Sequence, residues 1–309
     1  MKRKTYQVII IGGGPAGLSA ALTLGRGRVK TLVLNTETPR NKITKASHGF
    51  LTQDGVAPLK LISKGKRELK NYSEITYKKE KALKIEKLKF GFSVKTSNEI
   101  YHALRIILAT GHQDQIASFN IKGLTKVYGI SVFPCPFCDG YELANKPLAI
   151  FADAELGPEF AKTLLQWSND IIVFTNGEKV KDMTIKEKLK NKGVVIEEGK
   201  IEEIISINGH LKKVKLEDGS EYKRVAGFLP DTNSIERVDF ARSLNVPIEK
   251  GHLDMEEYQL DENKEAPIKG LFIIGDARVS WSGIACAIAD GYEVGITITH
   301  QIIEDNWKG

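Results

Sequence analysis

"YQVIIIGGGPAGLSAALTLGRGRVKTLVLN", residues 6–35, decides the fold of the first part of the chain. Residues 8–11 form an uninterrupted apolar, mostly β-branched run, which is typical of a strand buried on both faces. Gly12, Gly14 and Gly17 follow in a G-x-G-x-x-G pattern, after which a helix and a second strand at 31–34 are predicted. In this context the glycines bring the pyrophosphate of a dinucleotide close to free N–H groups at the helix start. A purely structural glycine turn is the alternative.

The end of the second predicted strand departs from the usual dinucleotide pattern. An acidic residue that binds the adenosine ribose is expected there, but the chain has Asn35, with Glu37 two residues further on. Because an asparagine amide can also hydrogen-bond a hydroxyl group, Asn35 is predicted as a ribose ligand. A 2′-phosphate would instead require an arginine, and Arg40 is near in sequence.

Two later stretches each predict a strand that ends in a glycine turn. The strand at 105–109 leads into residues 110–111, and the strand at 271–274 leads into residues 275–276. The second of these turns precedes a long predicted helix, 284–298, whose small residues indicate close packing against another element.

A second α/β unit lies between these stretches. Residues 148–174 again predict a strand, a turn, a helix and a strand. We therefore predict an α/β fold with two Rossmann-like, three-layer ββα nucleotide-binding domains, the second inserted into the first. The first domain is predicted at 1–118 and 231–309, and the inserted domain at 119–230.

Composition excludes several classes of protein. The chain has 309 residues and a net charge of +6 from 45 basic and 39 acidic side chains. The basic residues of 78–89 are interrupted by acids and apolar residues, which favours a solvated face over a nucleic-acid surface. No run of about 18 apolar residues exists, so no membrane span is predicted. Three cysteines cannot form a secreted disulfide framework, and a cytoplasmic location is predicted.

Two of the three cysteines lie in "VFPCPFCDGYEL", residues 132–143. Cys135 and Cys138 could form a redox dithiol, a metal clamp or a structural disulfide. Zinc needs about four ligands, and neither Cys286 nor the histidines have suitable spacing, so no metal site is predicted. Cys286 is expected to be a packed core residue. Pro136 suits the first turn of a helix, whose free N–H groups would lower the pKa of one thiol.

Four motifs in this order resemble the low-molecular-weight thioredoxin reductase family. They are "GGGPAG" at 12–17, "LATG" at 108–111, "CPFCDG" at 135–140 and "GDA" at 275–277. The resemblance covers nearly the whole chain and implies a homodimer that binds FAD in the domain built from the chain ends. "SHGFLTQDG" at 47–55 is similar to a branch that includes dithiol oxidases.

The resemblance also implies the site residues. The predicted FAD ligands, with Asn35, are Gly12, Gly14, Pro15, Ala16, Gly17, Thr110, Gly111, Gly275, Asp276, Ile284 and Ala285. Cys138 would exchange electrons with FAD, Cys135 would react with the substrate sulfur, and Asp139 would be the acid/base. His48 is a further candidate catalytic residue, with a solvated loop histidine as the alternative.

The inserted domain departs from the NADPH-binding pattern of the family. Two glycines that would face the pyrophosphate are replaced by Ala152 and Ala154, and Asp153 between them adds a negative charge. The next strand end, "VFTNGEK" at 173–179, has none of the arginines that grip a 2′-phosphate. NADPH use is therefore doubtful, although a tolerated variant turn with ordinary NADPH use is the alternative.

Three functions remain open from the sequence. The first is an oxidase that passes electrons from a small dithiol through FAD to dioxygen. The second is a reductase of thioredoxin or another disulfide that draws electrons from NADPH or ferredoxin. The third is a non-catalytic flavin redox sensor, which the intact C-x-x-C-D motif disfavours.

Overall fold

The chain divides into two compact units. The computed structural model describes residues 4–250, 256–279 and 282–308. The first unit consists of the described residues of 1–42, 56–113 and 235–309, and the second of 43–55 and 114–234. The sequence prediction placed 43–55 in the first domain, whereas in the structure this loop packs with the second unit.

Short strands and helices alternate along both units. The strands are β1 (Lys4–Ile11), β2 (Thr31–Leu34), β3 (Ile75–Lys78), β4 (Ala82–Lys87), β5 (Phe92–Thr96), β6 (Ile100–Leu108), β7 (His112–Gln113), β8 (Val132–Phe133), β9 (Leu148–Phe151), β10 (Ile171–Phe174), β11 (Val195–Glu197), β12 (Ile201–Ile207), β13 (His210–Leu216), β14 (Glu221–Lys223), β15 (Ala226–Phe228), β16 (Ile235–Glu236), β17 (Ile248–Lys250), β18 (Glu256–Tyr258) and β19 (Leu271–Ile273). The α-helices are α1 (Pro15–Arg26), α2 (Pro58–Leu69), α3 (Leu124–Val127), α4 (Pro136–Asp139), α5 (Leu156–Leu164), α6 (Met183–Asn191), α7 (Phe240–Ser243) and α8 (Ile284–Lys308). The predicted strands at 31–34, 148–151 and 171–174 are confirmed, and the last helix is longer than predicted.

The first unit is built on one large sheet. Its strand order is β3-β2-β1-β6-β5-β4, and β19 pairs with β6. β1 runs parallel to β2 and β6, and β19 runs parallel to β6. Ile11 lies opposite Leu34 and Leu108, and Leu108 lies opposite Ile273. The turns that follow these strands therefore begin side by side at one edge of the sheet.

Both faces of this sheet are covered. Val8 and Ile10 of β1 share a hydrophobic cluster with helices α1 and α8, whereas Ile9 and Ile11 share another with residues of β4, β5, α7 and β18. Each of these four side chains is at most 5% exposed. Burying a side chain of this size stabilises the fold by about 1.5–3 kcal/mol. The continuous apolar run read from the sequence thus corresponds to a strand between two layers.

The second unit repeats this arrangement. Its main sheet, in the order β11-β10-β9-β15-β8, is entirely parallel, and β12-β13-β14 form a separate antiparallel sheet. Ile150 and Val173 of the parallel sheet pack with helices α5 and α6. Phe151 and Phe174 point to the other face and pack with the antiparallel sheet. The predicted fold class, with two ββα nucleotide-binding units, is confirmed. None of the described helices is long and apolar enough to cross a membrane.

Glycines bring α1 and α8 into close contact within the first unit. A Cβ atom at Gly291 would lie 2.2 Å from the carbonyl oxygen of Ala16 and 2.8 Å from the amide nitrogen of Ala20. A Cβ at Gly295 would lie 2.6 Å from Cβ of Thr23. The backbones of the two helices can approach this closely because neither position has a side chain.

Gly291→Ala should destabilise the protein although alanine favours a helix by about 1 kcal/mol over glycine. The added methyl group forces α8 away from α1, and overpacking of this kind costs about 1–3 kcal/mol. The free energy of unfolding, from urea denaturation followed by circular dichroism, measures the change. Gly283→Ala is the matched control, because a Cβ there meets no atom within 4 Å. An unchanged or increased stability of Gly291→Ala would contradict close helix packing at Gly291.

Candidate active site

The turn after β1 leaves the start of α1 open. Gly12 has a φ of +108°, and a Cβ there would lie 2.1 Å from the carbonyl oxygen of Ala109. A Cβ at Gly17 would lie 2.0 Å from the carbonyl oxygen of Gly12. At Gly14, by contrast, a Cβ would meet no atom within 4 Å, and no side-chain hydrogen bond caps the helix there. The free N–H groups and open space suit the pyrophosphate of the predicted FAD.

The turn after β19 is anchored by a buried carboxylate. Gly275 has a φ of +64°, and its N–H donates a 2.9 Å hydrogen bond to Oδ2 of Asp290. Asp290 is 7% exposed and also lies 3.3 Å from Nε of Arg278. Asp276 faces Arg40, with 3.7 Å between Oδ2 and Nη1. Arg40, the arginine considered for a 2′-phosphate, is therefore beside Asp276, which is a predicted FAD ligand.

The sheet topology brings most predicted FAD ligands to one edge. These ligands follow β1, β6 and β19, whose ends are aligned, or begin α1 and α8. They are Gly12, Gly14, Pro15, Ala16, Gly17, Thr110, Gly111, Gly275, Asp276, Ile284 and Ala285. Binding at the carboxyl ends of parallel strands is the general rule for this fold, so the arrangement fits FAD. Cys286, expected to be packed, is exposed at the start of α8.

Asn35 lies over the glycine turn. Its side-chain amide donates to the hydroxyl of Tyr77 at 2.7 Å and approaches the carbonyl oxygen of Gly13 at 3.5 Å. Glu37, two residues on, is held by ion pairs to Lys66 and Lys79. The amide oxygen of Asn35 is the group that would accept a ribose hydroxyl, and this role stays a prediction.

The cysteine pair lies at the start of a helix, as predicted. Cys135 precedes α4, Pro136 is the first helical residue, and both cysteines are free thiols. The pKa of Cys135 is lowered to about 7, and the largest cause is the hydrogen bond from the Cys138 thiol. Burial raises the pKa, and the N–H groups of Cys138 and Phe137 lower it further. The charge of Asp139 opposes this effect. A large fraction of Cys135 is consequently the reactive thiolate near neutral pH.

Asp139 has the properties of a proton carrier. Burial raises its pKa to about 6, the charge of His48 lowers it, and the charge of Glu142 raises it. A carboxyl group with this pKa can both give and take a proton near neutral pH. Asp139 directly follows Cys138 in sequence, so the acid/base group and the dithiol belong to one short helix and the residue before it.

His48 is brought close to this helix by the loop 43–55. Its Nδ1 lies 3.5 Å from Oδ1 of Asp54, and its Nε2 lies 3.7 Å from Oε1 of Glu142. The sequence singled out His48 but neither carboxylate. Glu142 could have been noticed from its position three residues after Asp139, which places the two on neighbouring turns. Within the described residues, no three His, Cys, Asp or Glu side chains are grouped as metal ligands would be.

The turn after β9 differs from the turn after β1. Oδ1 of Asp153 accepts hydrogen bonds from the N–H groups of Glu155 at 2.9 Å and Leu156 at 2.6 Å. Oε2 of Glu178 accepts from the N–H of Ala154 at 3.1 Å. Side-chain carboxylates thus already accept hydrogen bonds from the N–H groups at the start of α5. Gly157 keeps a packing role, because a Cβ there would lie 2.7 Å from Cγ1 of Val173.

Comparisons with known proteins agree with this architecture. The family model of pyridine nucleotide-disulphide oxidoreductases matches residues 6–291. A thioredoxin reductase of Listeria innocua is 26% identical over 304 residues, which is 94% of this chain and 92% of the relative.

Solved structures extend the agreement to the fold. TrxB from Bacillus anthracis has a TM-score of 0.91 and 30% identity, covering 97% of this chain and 99% of the other. An oxidoreductase from Agrobacterium tumefaciens has a TM-score of 0.88 and 31% identity, and it likewise covers 97% of this chain and 99% of the other. The chain therefore belongs to the pyridine nucleotide-disulphide oxidoreductase family, in which it is a thioredoxin reductase-like, FAD-dependent disulfide oxidoreductase.

Proposed function

We propose that the protein catalyses thiol–disulfide exchange at Cys135 and Cys138, exchanges the electron pair of this dithiol with FAD, and makes little or no use of NADPH. The observation that carries the proposal is the position of Cys135. Cys135 directly precedes α4, and Cys138 and Asp139 lie within that helix. The hydrogen bond from the Cys138 thiol, followed by the N–H groups of Cys138 and Phe137, lowers the pKa of Cys135. This is the arrangement that an attacking thiolate with an adjacent acid/base requires.

The chain's own residues account for the thiol chemistry. A substrate thiolate attacks Sγ of Cys135 in the Cys135–Cys138 disulfide, and Cys138 leaves as a thiolate. A second substrate thiol displaces Cys135, giving the oxidised substrate and the reduced pair. Asp139 takes up a proton from the incoming thiol and, when the pair is reoxidised, releases a proton to the group that accepts the electron pair. FAD, when bound, supplies a two-electron acceptor or donor for this pair. The reverse sequence reduces a disulfide substrate.

Two features support a minor role for NADPH. Asp153 and Glu178 already satisfy the N–H groups that would bind a pyrophosphate, and both add negative charge at that place. Ala152 and Ala154 do not have positive φ angles, unlike Gly12 in the first turn. A dinucleotide would have to displace both carboxylates and pack against two methyl groups.

Similarity suggests the outside partners. The Listeria relative is named a thioredoxin reductase, so a thioredoxin-like protein is a candidate substrate, as is a small dithiol or disulfide. With NADPH set aside, dioxygen as acceptor or ferredoxin as donor would complete the cycle. A homodimer and a cytoplasmic location belong to the same proposal.

Cys138→Ser should prevent dithiols from reducing the flavin. A single remaining thiol cannot form the intramolecular disulfide, so anaerobic bleaching by dithiothreitol should slow by roughly two orders of magnitude or more. Stopped-flow absorbance near the flavin maximum measures the rate. Cys286→Ser is the matched control and should bleach like the unmodified protein. Normal turnover of Cys138→Ser would remove the dithiol mechanism.

NADPH should fail to bleach the flavin under anaerobic conditions even at about 1 mM, the upper end of ordinary KM values. Dithiothreitol should bleach the same sample.

The double variant Asp153→Asn, Glu178→Gln removes two negative charges, so its affinity for NADP⁺ in calorimetry should rise on the order of tenfold. Rapid bleaching of the unmodified protein at micromolar NADPH would contradict the proposal.

Alkylation of Cys135 should follow its lowered pKa. In the reduced protein the iodoacetamide rate should increase about tenfold per pH unit below pH 7 and level off above it, because only the thiolate reacts. Asp139→Asn removes a negative charge that raises the pKa of Cys135. The pH at which the alkylation rate reaches half its plateau should therefore be lower in this variant. Mass spectrometry of the modified peptide identifies the alkylated cysteine. A midpoint near the ordinary thiol pKa of about 8.5 would contradict the assignment.

A further inference from the structure

The loop 43–55 is part of the unit that carries the cysteine pair, although it interrupts the first unit in sequence. One anchor is Ile43, since a Cβ at Gly129 would lie only 2.4 Å from its Cγ1. The loop also closes on itself, through a 2.9 Å hydrogen bond from the N–H of Gly55 to the carbonyl oxygen of Ser47. It is thus a shaped element of the second unit.

Two carboxylates hold the imidazole of His48 within this loop. Asp54 faces Nδ1 at 3.5 Å and is itself fixed, because its Oδ1 accepts a 2.8 Å hydrogen bond from the N–H of Gly49. Glu142 faces Nε2 at 3.7 Å from the other side. The His48 side chain is 23% exposed, against 70% for Asp54 and 48% for Glu142. The imidazole therefore lies inward of the two carboxylates.

The contact with Glu142 places His48 beside the acid/base. Glu142 lies in the 3₁₀ turn Tyr141–Leu143, which follows α4 after the single residue Gly140. A Cβ at Gly140 would lie 2.4 Å from the carbonyl oxygen of Pro136, so the chain turns tightly there. Asp139 and Glu142 are consequently near neighbours, and the charges of His48 and Glu142 both act on Asp139.

We propose that His48 is a positioning residue of the thiol-exchange centre: Asp54 and Glu142 flank its imidazole at 3.5 and 3.7 Å, beside the tight turn that joins Glu142 to the acid/base Asp139. The inference rests on the proposed function, because it concerns the acid/base of that reaction. His48 stabilises the carboxylate form of Asp139, and Glu142 stabilises the protonated form. The charged or titratable groups facing this centre are Cys135, Cys138, Asp139, Glu142, Asp54, His48 and Lys146, whose Nζ donates a 2.7 Å hydrogen bond to the carbonyl oxygen of Glu142.

Titration of the Asp139 carboxyl group tests the inference directly. The flavin-loaded protein is labelled with ¹³C-aspartate, and the Asp139 carboxyl signal is the one that Asp139→Asn lacks. Glu142→Gln should move the titration midpoint to lower pH, because a negative charge is lost. His48→Gln should move it to higher pH, because a positive charge is lost. Each shift should be roughly half a pH unit or more, and the double variant should return towards the unmodified midpoint.

Matched controls separate these charge effects from a general disturbance. Glu221→Gln and His210→Gln make the same chemical changes on the antiparallel sheet of the same unit and should leave the midpoint unchanged. Shifts in the same direction for Glu142→Gln and His48→Gln, or no shift, would overturn the inference. Bleaching of the flavin by dithiothreitol is measured on the same samples. If unmodified protein bleaches but no midpoint moves, the inference fails and the proposed function stands. If Cys138→Ser bleaches normally, the proposed function itself fails.

Discussion

The N–H groups at the start of a helix have no hydrogen-bond partner within that helix. In this protein they meet a different environment at the start of each of three helices, α1, α5 and α4. At α1 they remain open beside Gly14. At α5 the carboxylate of Asp153 accepts two of them. At α4 they add to the hydrogen bond from the Cys138 thiol, and together these donors lower the pKa of Cys135. One backbone property thus contributes to a predicted anion site, a closed turn and a thiol of lowered pKa, depending on which residues lie at the start of the helix.

The contrast between the turns of α1 and α5 bears on electron flow. Both turns follow a central parallel strand, and both keep the third glycine, Gly17 or Gly157, which packs the helix on the sheet. The fold of the second unit therefore does not depend on the other two glycine positions. A substitution there can remove phosphate binding while the packing is retained. For this reason a well-formed nucleotide-binding fold is weak support for nucleotide binding, and the residues at the turn must be considered separately.

Local patterns predicted the fold well, whereas contacts between distant residues escaped them. The strands at 148–151 and 171–174 follow from apolar runs, and the Cys135 helix start follows from Pro136. The hydrogen bond from Ala154 to Glu178 joins residues 24 apart in sequence, and nothing in the local spacing of either residue indicates it. The contact of His48 with Glu142 depends on the loop 43–55 packing with the second unit. Residues 56–113, which belong to the first unit, separate this loop from the rest of the second unit in sequence, so no periodicity connects the two.

This placement of the loop separates two parts of the proposed chemistry. The side chains that handle thiols and protons, among them Cys135, Asp139 and His48, all belong to the second unit. The predicted FAD ligands all belong to the first. His48 and Glu142, the charged groups that act on Asp139, therefore belong to the same compact unit as the dithiol. In the proposal, the thiol and proton chemistry is thus arranged by the second unit, and the FAD ligands belong to the first.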